Sequence, residues 1–195
     1  MTESPIQPPH EVRTERLILR SARAGDGPAL RLAIGVSLNE FFPWLSFSAQ
    51  LDDHETMERV SRLAQSQFLE GESYVWRVWE PDGQLVGSVD LHSIDRAVPS
   101  CEIGFWLRSD RTGRGLAQEF ATAAIEIAHK TLKVERIEVS CAAARYMRSY
   151  AARRSKRMQY SRTQQSFERT LWEQNDIFRA RFRCHKETYR GLSMP

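Results

Sequence analysis

The 195-residue sequence predicts an α+β domain in which a mixed, mostly antiparallel sheet of six or seven strands lies between helices, three layers in the order α/β/α. Three observations carry that expectation. Residues 73–107 read as three successive strands joined by turn signals, the pattern of an antiparallel meander. The third strand runs through a glycine turn, Arg111-Thr112-Gly113-Arg114-Gly115-Leu116-Ala117, into a long amphipathic helix and another strand. A strand–helix–strand unit of this kind brings its two strands parallel. Two further helical stretches precede the meander, each with apolar residues three or four apart.

The elements follow in order. Residues 1–12 are polar and proline-containing and read as a flexible tail; Met1–His10 lacks the apolar stretch of a signal peptide. A single domain is expected over 13–190. Glu15–Arg20 reads as a short strand. Asp26 is the expected cap of the first helix, with Pro28 in its first turn and Leu30, Ala33 and Ile34 as its buried stripe. The aromatic run Phe41-Phe42-Pro43-Trp44-Leu45-Ser46-Phe47 is either the wall of a pocket or a loop plugging the core. Asp52 or Asp53 caps a second helix with the stripe Met57, Val60, Ala64 and Phe68, which Gly71 ends.

Ser73–Glu80 is the first meander strand, with Tyr74, Trp76 and Val78 on one side. Pro81-Asp82-Gly83 turns it into Gln84–Ile94. Cys101–Leu107 is the third strand. The helix after the glycine turn carries the stripe Leu116, Phe120, Ala123, Ala124 and Ile127. Val134–Cys141 alternates as a strand, Tyr146–Arg157 forms a basic helix, and Met158–Trp172 with Asp176–Cys184 form a final hairpin.

Composition bounds the function. Hydrophobic residues are 41% and charged residues 27%, ordinary for a globular domain with one core. No apolar run approaches the ~20 residues that span a bilayer, so no membrane partner is expected. Cys101, Cys141 and Cys184 are far apart and odd in number, each in a strand-like run. They read as core thiols without a disulfide framework or a CxxC metal pair, and a cytoplasmic location follows as an expectation. The net charge of +3 is uneven: residues 142–195 hold 13 Arg and Lys against 4 Asp and Glu, a local +9 that leaves −6 elsewhere. Interspersed acidic residues and the lack of an aromatic platform argue against nucleic acid as the partner of that basic segment.

The glycine turn is the informative motif. Glycines ahead of a helix let the backbone approach a ligand, and the first helical turn offers N–H groups without intrahelical partners under a positive dipole end. Strand, glycine turn and helix together make a phosphate cradle. Arg111 and Arg114 are expected to add cationic contacts.

The order of elements and four stretches resemble the GNAT (Gcn5-related) N-acetyltransferases, in their RimJ/RimL-type branch. Thr14-Glu15-Arg16-Leu17-Ile18-Leu19-Arg20 resembles that branch's opening strand. Leu85-Val86-Gly87-Ser88-Val89 resembles its third strand, and Glu102-Ile103-Gly104-Phe105-Trp106-Leu107 its fourth. Thr112-Gly113-Arg114-Gly115-Leu116-Ala117 resembles its pyrophosphate loop, Q/R-x-x-G-x-G/A. The match covers residues 13 to 141 well. Thr112 replaces the loop's first Gln or Arg. The branch shows Asn-x-x-Ser near the start of its last helix; with Ser149 as that Ser, Tyr146 stands at the Asn position, and Arg157-Met158 stand where the branch shows Gly-Phe.

The resemblance implies a GNAT-like fold, acetyl-CoA as cosubstrate, and transfer to a primary amine such as a protein N-terminus or a small molecule. It implies that two strands part at one end, with the pantetheine arm along Phe105, Trp106 and Leu107. The diphosphate would lie on Arg111, Thr112, Gly113, Arg114, Gly115, Leu116 and Ala117. Moving an acetyl group from a thioester to an amine needs a proton acceptor for the amine and a donor for the leaving thiolate, and it needs no metal. Glu102 is the expected base and Ser149 the expected acid, with Tyr146 and Tyr150 as substitutes. Phe42, Trp44, Asp90 and His92 are expected around the acceptor, with Asp90 and His92 also able to take the proton. His54 and His129 are expected on the helix surfaces. The competing reading is a divergent CoA-binding protein without transferase activity. A homodimer through the terminal hairpin is compatible with the pattern.

Overall fold

The structure, a computed structural model, describes residues 7–38, 53–139 and 182–185. Seven strands form one sheet in chain order: β1 (Glu11–Arg13), β2 (Ile18–Ser21), β3 (Tyr74–Trp79), β4 (Leu85–Asp95), β5 (Ser100–Leu107), β6 (Arg136–Val139) and β7 (Phe182–His185). All neighbours are antiparallel except β5 and β6, which are parallel. Helices α1 (Gly27–Gly35) and α2 (His54–Glu70) lie between β2 and β3, and α3 (Leu116–Lys130) is the crossover between β5 and β6. The predicted meander and crossover are both present.

Register decides what each face carries. One face collects Leu19, Tyr74, Trp76, Val78, Val89, Leu91, Cys101 and Ile103, all buried, and α3 covers it with Leu116, Phe120, Ala124, Ile127 and Ala128. Phe105 of β5 meets Phe120 edge-on at 6.0 Å between ring centroids. On the other face Trp79, Leu85 and Trp106 pack with Leu30, Ala33 and Ile34 of α1 and Met57 of α2. A sheet with helices on both faces is the three-layer arrangement the sequence predicts.

Four local expectations change. Thr14–Leu17 is a turn rather than strand: Thr14 N–H donates to the Leu17 carbonyl at 2.9 Å, and the threonine hydroxyl caps the same turn. Asp26 precedes α1 without capping it, because its carboxylate is held by Arg20 at 2.6 Å and by the Arg23 N–H at 3.0 Å. Glu58 of α2 accepts from the Gly25 and Gly27 amides in its place. Asp53 does cap α2, accepting from the Glu55 and Thr56 amides. The buried stripe of α2 is Met57, Ser61, Ala64 and Phe68, whereas Val60 is exposed. Ser61 fits there because its hydroxyl donates to the Met57 carbonyl at 3.0 Å and so buries no open donor. His129, expected at the surface, is buried, with Nδ1 2.6 Å from the Val134 carbonyl. The expected basic helix and most of the final hairpin lie outside the described residues, as does Cys141; Cys184 falls in β7 opposite Ile137.

Phe68 is the keystone of the α2 contact. Its ring meets Tyr74 and Trp76 edge-on at 5.1 and 5.4 Å. Phe68→Ala is expected to lower the unfolding free energy by about 3–5 kcal/mol, while Val60→Ala changes it by less than about 1 kcal/mol, both read by urea denaturation.

Candidate active site

The glycine turn is held open by its own backbone. Ser109–Arg111 forms a single 3-10 turn, closed by the Arg111 N–H to the Arg108 carbonyl at 3.0 Å. Thr112 completes it, its N–H and its hydroxyl both donating to the Ser109 carbonyl. This accounts for Thr112 in place of a longer polar residue: its short side chain locks the turn. Gly113 and Gly115 then adopt left-handed backbone, φ +78° and +77°. That conformation is unfavourable for residues with a Cβ by roughly 1–2 kcal/mol. A Cβ at Gly113 would meet nothing within 4 Å, so the turn faces open space.

Gly115 is the N-cap of α3 and supplies no side-chain cap. The first intrahelical bond is Glu119 N–H to the Gly115 carbonyl. Among the described residues the main-chain N–H groups of Gly113 to Gln118 therefore meet no protein acceptor. They lie at the positive end of a 15-residue helix. A cleft of about 540 Å³ opens beside them, lined by Arg16, Glu80, Asp82, Arg114 and Leu116. These N–H groups are the main-chain groups that the sequence predicts as a phosphate cradle.

The two arginines expected to assist differ. Arg111 is committed elsewhere: its guanidinium reaches Glu80 at 3.1 Å and Asp110 at 2.8 Å. These pairs tie the glycine turn to the β3–β4 hairpin. Arg114 is exposed beside the cleft. The sequence reading missed a third cation, Arg16. Its guanidinium pairs with Glu119 at 2.6 Å and donates to the Arg114 carbonyl at 2.9 Å. Glu119 also accepts from the Thr14 hydroxyl at 2.6 Å and the Arg16 N–H at 2.9 Å. Burial pushes the Glu119 carboxyl up, but these hydrogen bonds outweigh it and hold the group below its ordinary value.

The described β5–β6 ladder runs from Ser100↔Arg136 to Glu102↔Glu138, and β5 continues through Leu107 along β4. Phe105, Trp106 and Leu107, the residues expected along a pantetheine arm, form the end of β5 that leads into the glycine turn.

Further along β4 and β5, away from the Leu107 end, a charged stripe lies on the face opposite α3. Asp90 pairs with Gly104, His92 with Glu102, and Glu102 with Glu138, so their side chains share that face. Asp90 lies directly over Gly104: a Cβ there would stand 2.8 Å from Asp90 Oδ1 and displace the carboxylate. His92 Nε2 is 3.6 Å from Asp90 Oδ2. Burial raises the Asp90 carboxyl above its ordinary value, opposed by the His92 and Arg77 charges. Arg77, itself buried, donates to the Ser88 hydroxyl at 3.1 Å. Glu102, Asp90 and His92 are therefore brought together. Phe42, Trp44, Tyr146, Ser149 and Tyr150 lie outside the described residues.

The antiparallel meander, the parallel crossover through α3 and the left-handed glycine turn at its start are the arrangement that the sequence resemblance implies. Residues 16–147 match the acetyltransferase (GNAT) domain family, about two thirds of the chain, and the chain belongs to that family. A stretch of 62 residues is 32% identical to the protein named "Putative ribosomal N-acetyltransferase YdaF" of Bacillus subtilis (strain 168), covering 32% of this chain and 33% of that one. The fold is similar to that of RimL, a ribosomal L7/L12 alpha-N-protein acetyltransferase solved with coenzyme A. The TM-score is 0.75 at 14% identity, covering 90% of this chain and 97% of that chain. It is also similar to Mycobacterium smegmatis RimJ in complex with CoA-disulfide: TM-score 0.69, 17% identity, covering 95% and 88%. Among the described residues no helix is long and apolar enough to cross a membrane, and no group of side chains is arranged to hold a metal ion.

The lowered carboxyl of Glu119 makes a signed prediction. A group depressed on folding contributes stability above its ordinary value of 4.5 and loses it as pH falls through the folded value. The stability advantage of wild type over Glu119→Gln is therefore expected at pH 6 and shrinks towards pH 3, measured by urea denaturation at each pH.

Proposed function

We propose that the protein transfers an acetyl group from acetyl-CoA to a primary amine, a protein N-terminus or a small amine. The observation that carries this reading is the run of N–H groups from Gly113 to Gln118, without a protein acceptor among the described residues, at the end of β5. The N–H groups and the helix dipole suit the diphosphate, and Arg114 adds a cation. The end of β5 from Phe105 to Leu107 suits an extended amide-bearing arm, which can add to it as a strand does. Cradle and strand end lie at the two ends of one short connection, Arg108–Thr112, so a single molecule can engage both.

The chemistry then falls to the charged stripe. An attacking amine must lose a proton, and Glu102 lies on β5 opposite His92 and Glu138. We assign it as the base. Asp90 and His92, next along the same face, form the site for the cationic amine and the route by which its proton leaves. A half-buried carboxylate attracts an ammonium ion strongly because few waters compete. Ser149, with Tyr146 and Tyr150 as substitutes, remains the proposed donor to the thiolate, and Phe42 and Trp44 the proposed acceptor wall, on the sequence resemblance alone. That wall is the part of the site on which the size of the acceptor depends. The ribosomal-protein names of the relatives support a protein N-terminus; a spermidine N-acetyltransferase among the similar folds, with a TM-score of 0.67, supports a polyamine.

Acetyl-CoA at millimolar concentration is expected to raise the melting temperature, as a ligand that binds the native state alone must. Gly113→Asp is expected to abolish that shift by setting a carboxylate against the diphosphate. Glu102→Gln is expected to lower kcat on an amine substrate roughly 100-fold or more with the KM for acetyl-CoA unchanged, the usual scale for a lost base. Asp90→Asn is expected to act mainly on the KM of the amine. Protection by acetyl-CoA without thioester cleavage over a panel of N-terminal peptides and polyamines would favour the non-catalytic CoA-binding protein that the Tyr146 and Arg157-Met158 departures allow.

A further inference from the structure

The turn Thr14–Leu17 makes no contact that the reaction above requires, yet it sends two side chains and one amide to the first turn of α3. We propose that Arg16, held by Glu119 and Thr14, is a positioning residue that fixes the orientation of the Arg114–Gly115 peptide and so aims the Gly115 N–H into the cradle. The proposal rests on the reading of the glycine turn as a diphosphate site.

The argument starts from the backbone. The Arg114–Gly115 peptide leads into Gly115, whose backbone is left-handed. Turning this peptide over changes ψ of Arg114 and φ of Gly115, and glycine takes either sign of φ at little cost, so the local backbone leaves that rotation open. In a trans peptide the C=O and the following N–H point in opposite directions. Rotation would turn the Gly115 N–H out of the cradle and bring the Arg114 carbonyl oxygen, an electron-rich atom, towards an anionic ligand. Arg16 Nη1 donates to that carbonyl oxygen at 2.9 Å. Holding the oxygen on the Arg16 side holds the N–H on the other.

Arg16 can act as a fixed point because it is itself fixed. Its Nε and Nη2 both donate to Glu119 Oε2, at 2.7 and 2.6 Å, so two edges of the guanidinium converge on one carboxylate oxygen. The second oxygen, Oε1, takes the Thr14 hydroxyl and the Arg16 main-chain N–H. Both carboxylate oxygens are engaged, and the arginine has one orientation left. Charge matters too. Glu119 lies in the first turn of α3, where its negative charge suits the helix dipole but opposes a phosphate. Arg16 neutralises it there. A lysine would supply the charge but not this geometry: one ammonium cannot reproduce three directed N–H contacts to two acceptors.

Calorimetric titration with CoA separates the possibilities. Wild type, Arg16→Lys, Arg16→Ala and Arg16→Ala/Glu119→Gln are compared, each checked for folding by its thermal melt. Arg16→Lys and Arg16→Ala are expected to bind CoA roughly tenfold or more weakly, the scale of one lost charge-assisted hydrogen bond. The double variant is expected to stay weak, although its uncompensated Glu119 charge is gone. In steady state, the loss is expected in the KM for acetyl-CoA with kcat at saturation retained. Wild-type affinity in Arg16→Lys, or its recovery in the double variant, means that charge balance alone is at work and overturns the proposal. Failure of wild type itself to bind CoA overturns the diphosphate reading beneath it, a distinct result.

Discussion

Main-chain N–H groups at the start of a helix have no carbonyl ahead of them to bond. In α3 that deficit is widened, because Gly115 occupies the cap position and brings no side-chain oxygen to fill it. The rest of the molecule serves to keep this mouth open, oriented and next to the end of β5. Phe120, Ala124 and Ile127 press α3 onto the buried face of β4 and β5, so the helix cannot drift from the sheet. Arg111 ties the preceding turn to Glu80 on the far side of the β3–β4 hairpin. The Thr14–Leu17 turn adds a third tether through Glu119. Each draws on a different strand connection, which makes the mouth a product of the whole sheet rather than of the six-residue motif.

The two faces of the sheet divide the work. The face under α3 is apolar throughout and supplies cohesion. The opposite face is apolar only where α1 packs, around Trp79, Leu85 and Trp106, and becomes charged towards Asp90, His92, Glu102 and Glu138. Close placement of carboxylates raises the energy of each one, and the fold answers with Arg77 beneath the sheet's central strands and with the Asp90–His92 contact. Under the proposed reaction, these carboxylates receive the cationic amine and take its proton.

Much of this was legible in the sequence because the signals are periodic or steric. Alternation in Tyr74, Trp76 and Val78 and the Pro81-Asp82-Gly83 turn place the meander, and the spacing of Leu116, Phe120, Ala124 and Ile127 places α3. The glycines announce the cradle since no other residue takes that backbone cheaply. What stayed hidden is pairwise. Nothing in Thr14-Glu15-Arg16-Leu17 says that it turns rather than extends, or that its arginine meets a glutamate 103 residues away. Val60 and Ser61 exchange places on α2 because a hydroxyl bonded to its own helix is tolerated in a core, which hydropathy alone does not register. Asp26 resembles a cap by type and position, but Arg20 reaches it first. His129 resembles a surface residue by polarity, and it is the Val134 carbonyl that makes its burial affordable.

The account stands on the claim that main-chain amides between Gly113 and Gln118 receive a diphosphate. Amide proton and nitrogen shifts of the full chain, followed by NMR as CoA is added, test it at the atoms concerned. The largest changes are expected at Gly113, Gly115, Leu116 and Ala117, with the amide protons moving downfield as they gain an anionic acceptor. CoA binding that leaves those four resonances in place while shifting others would contradict it.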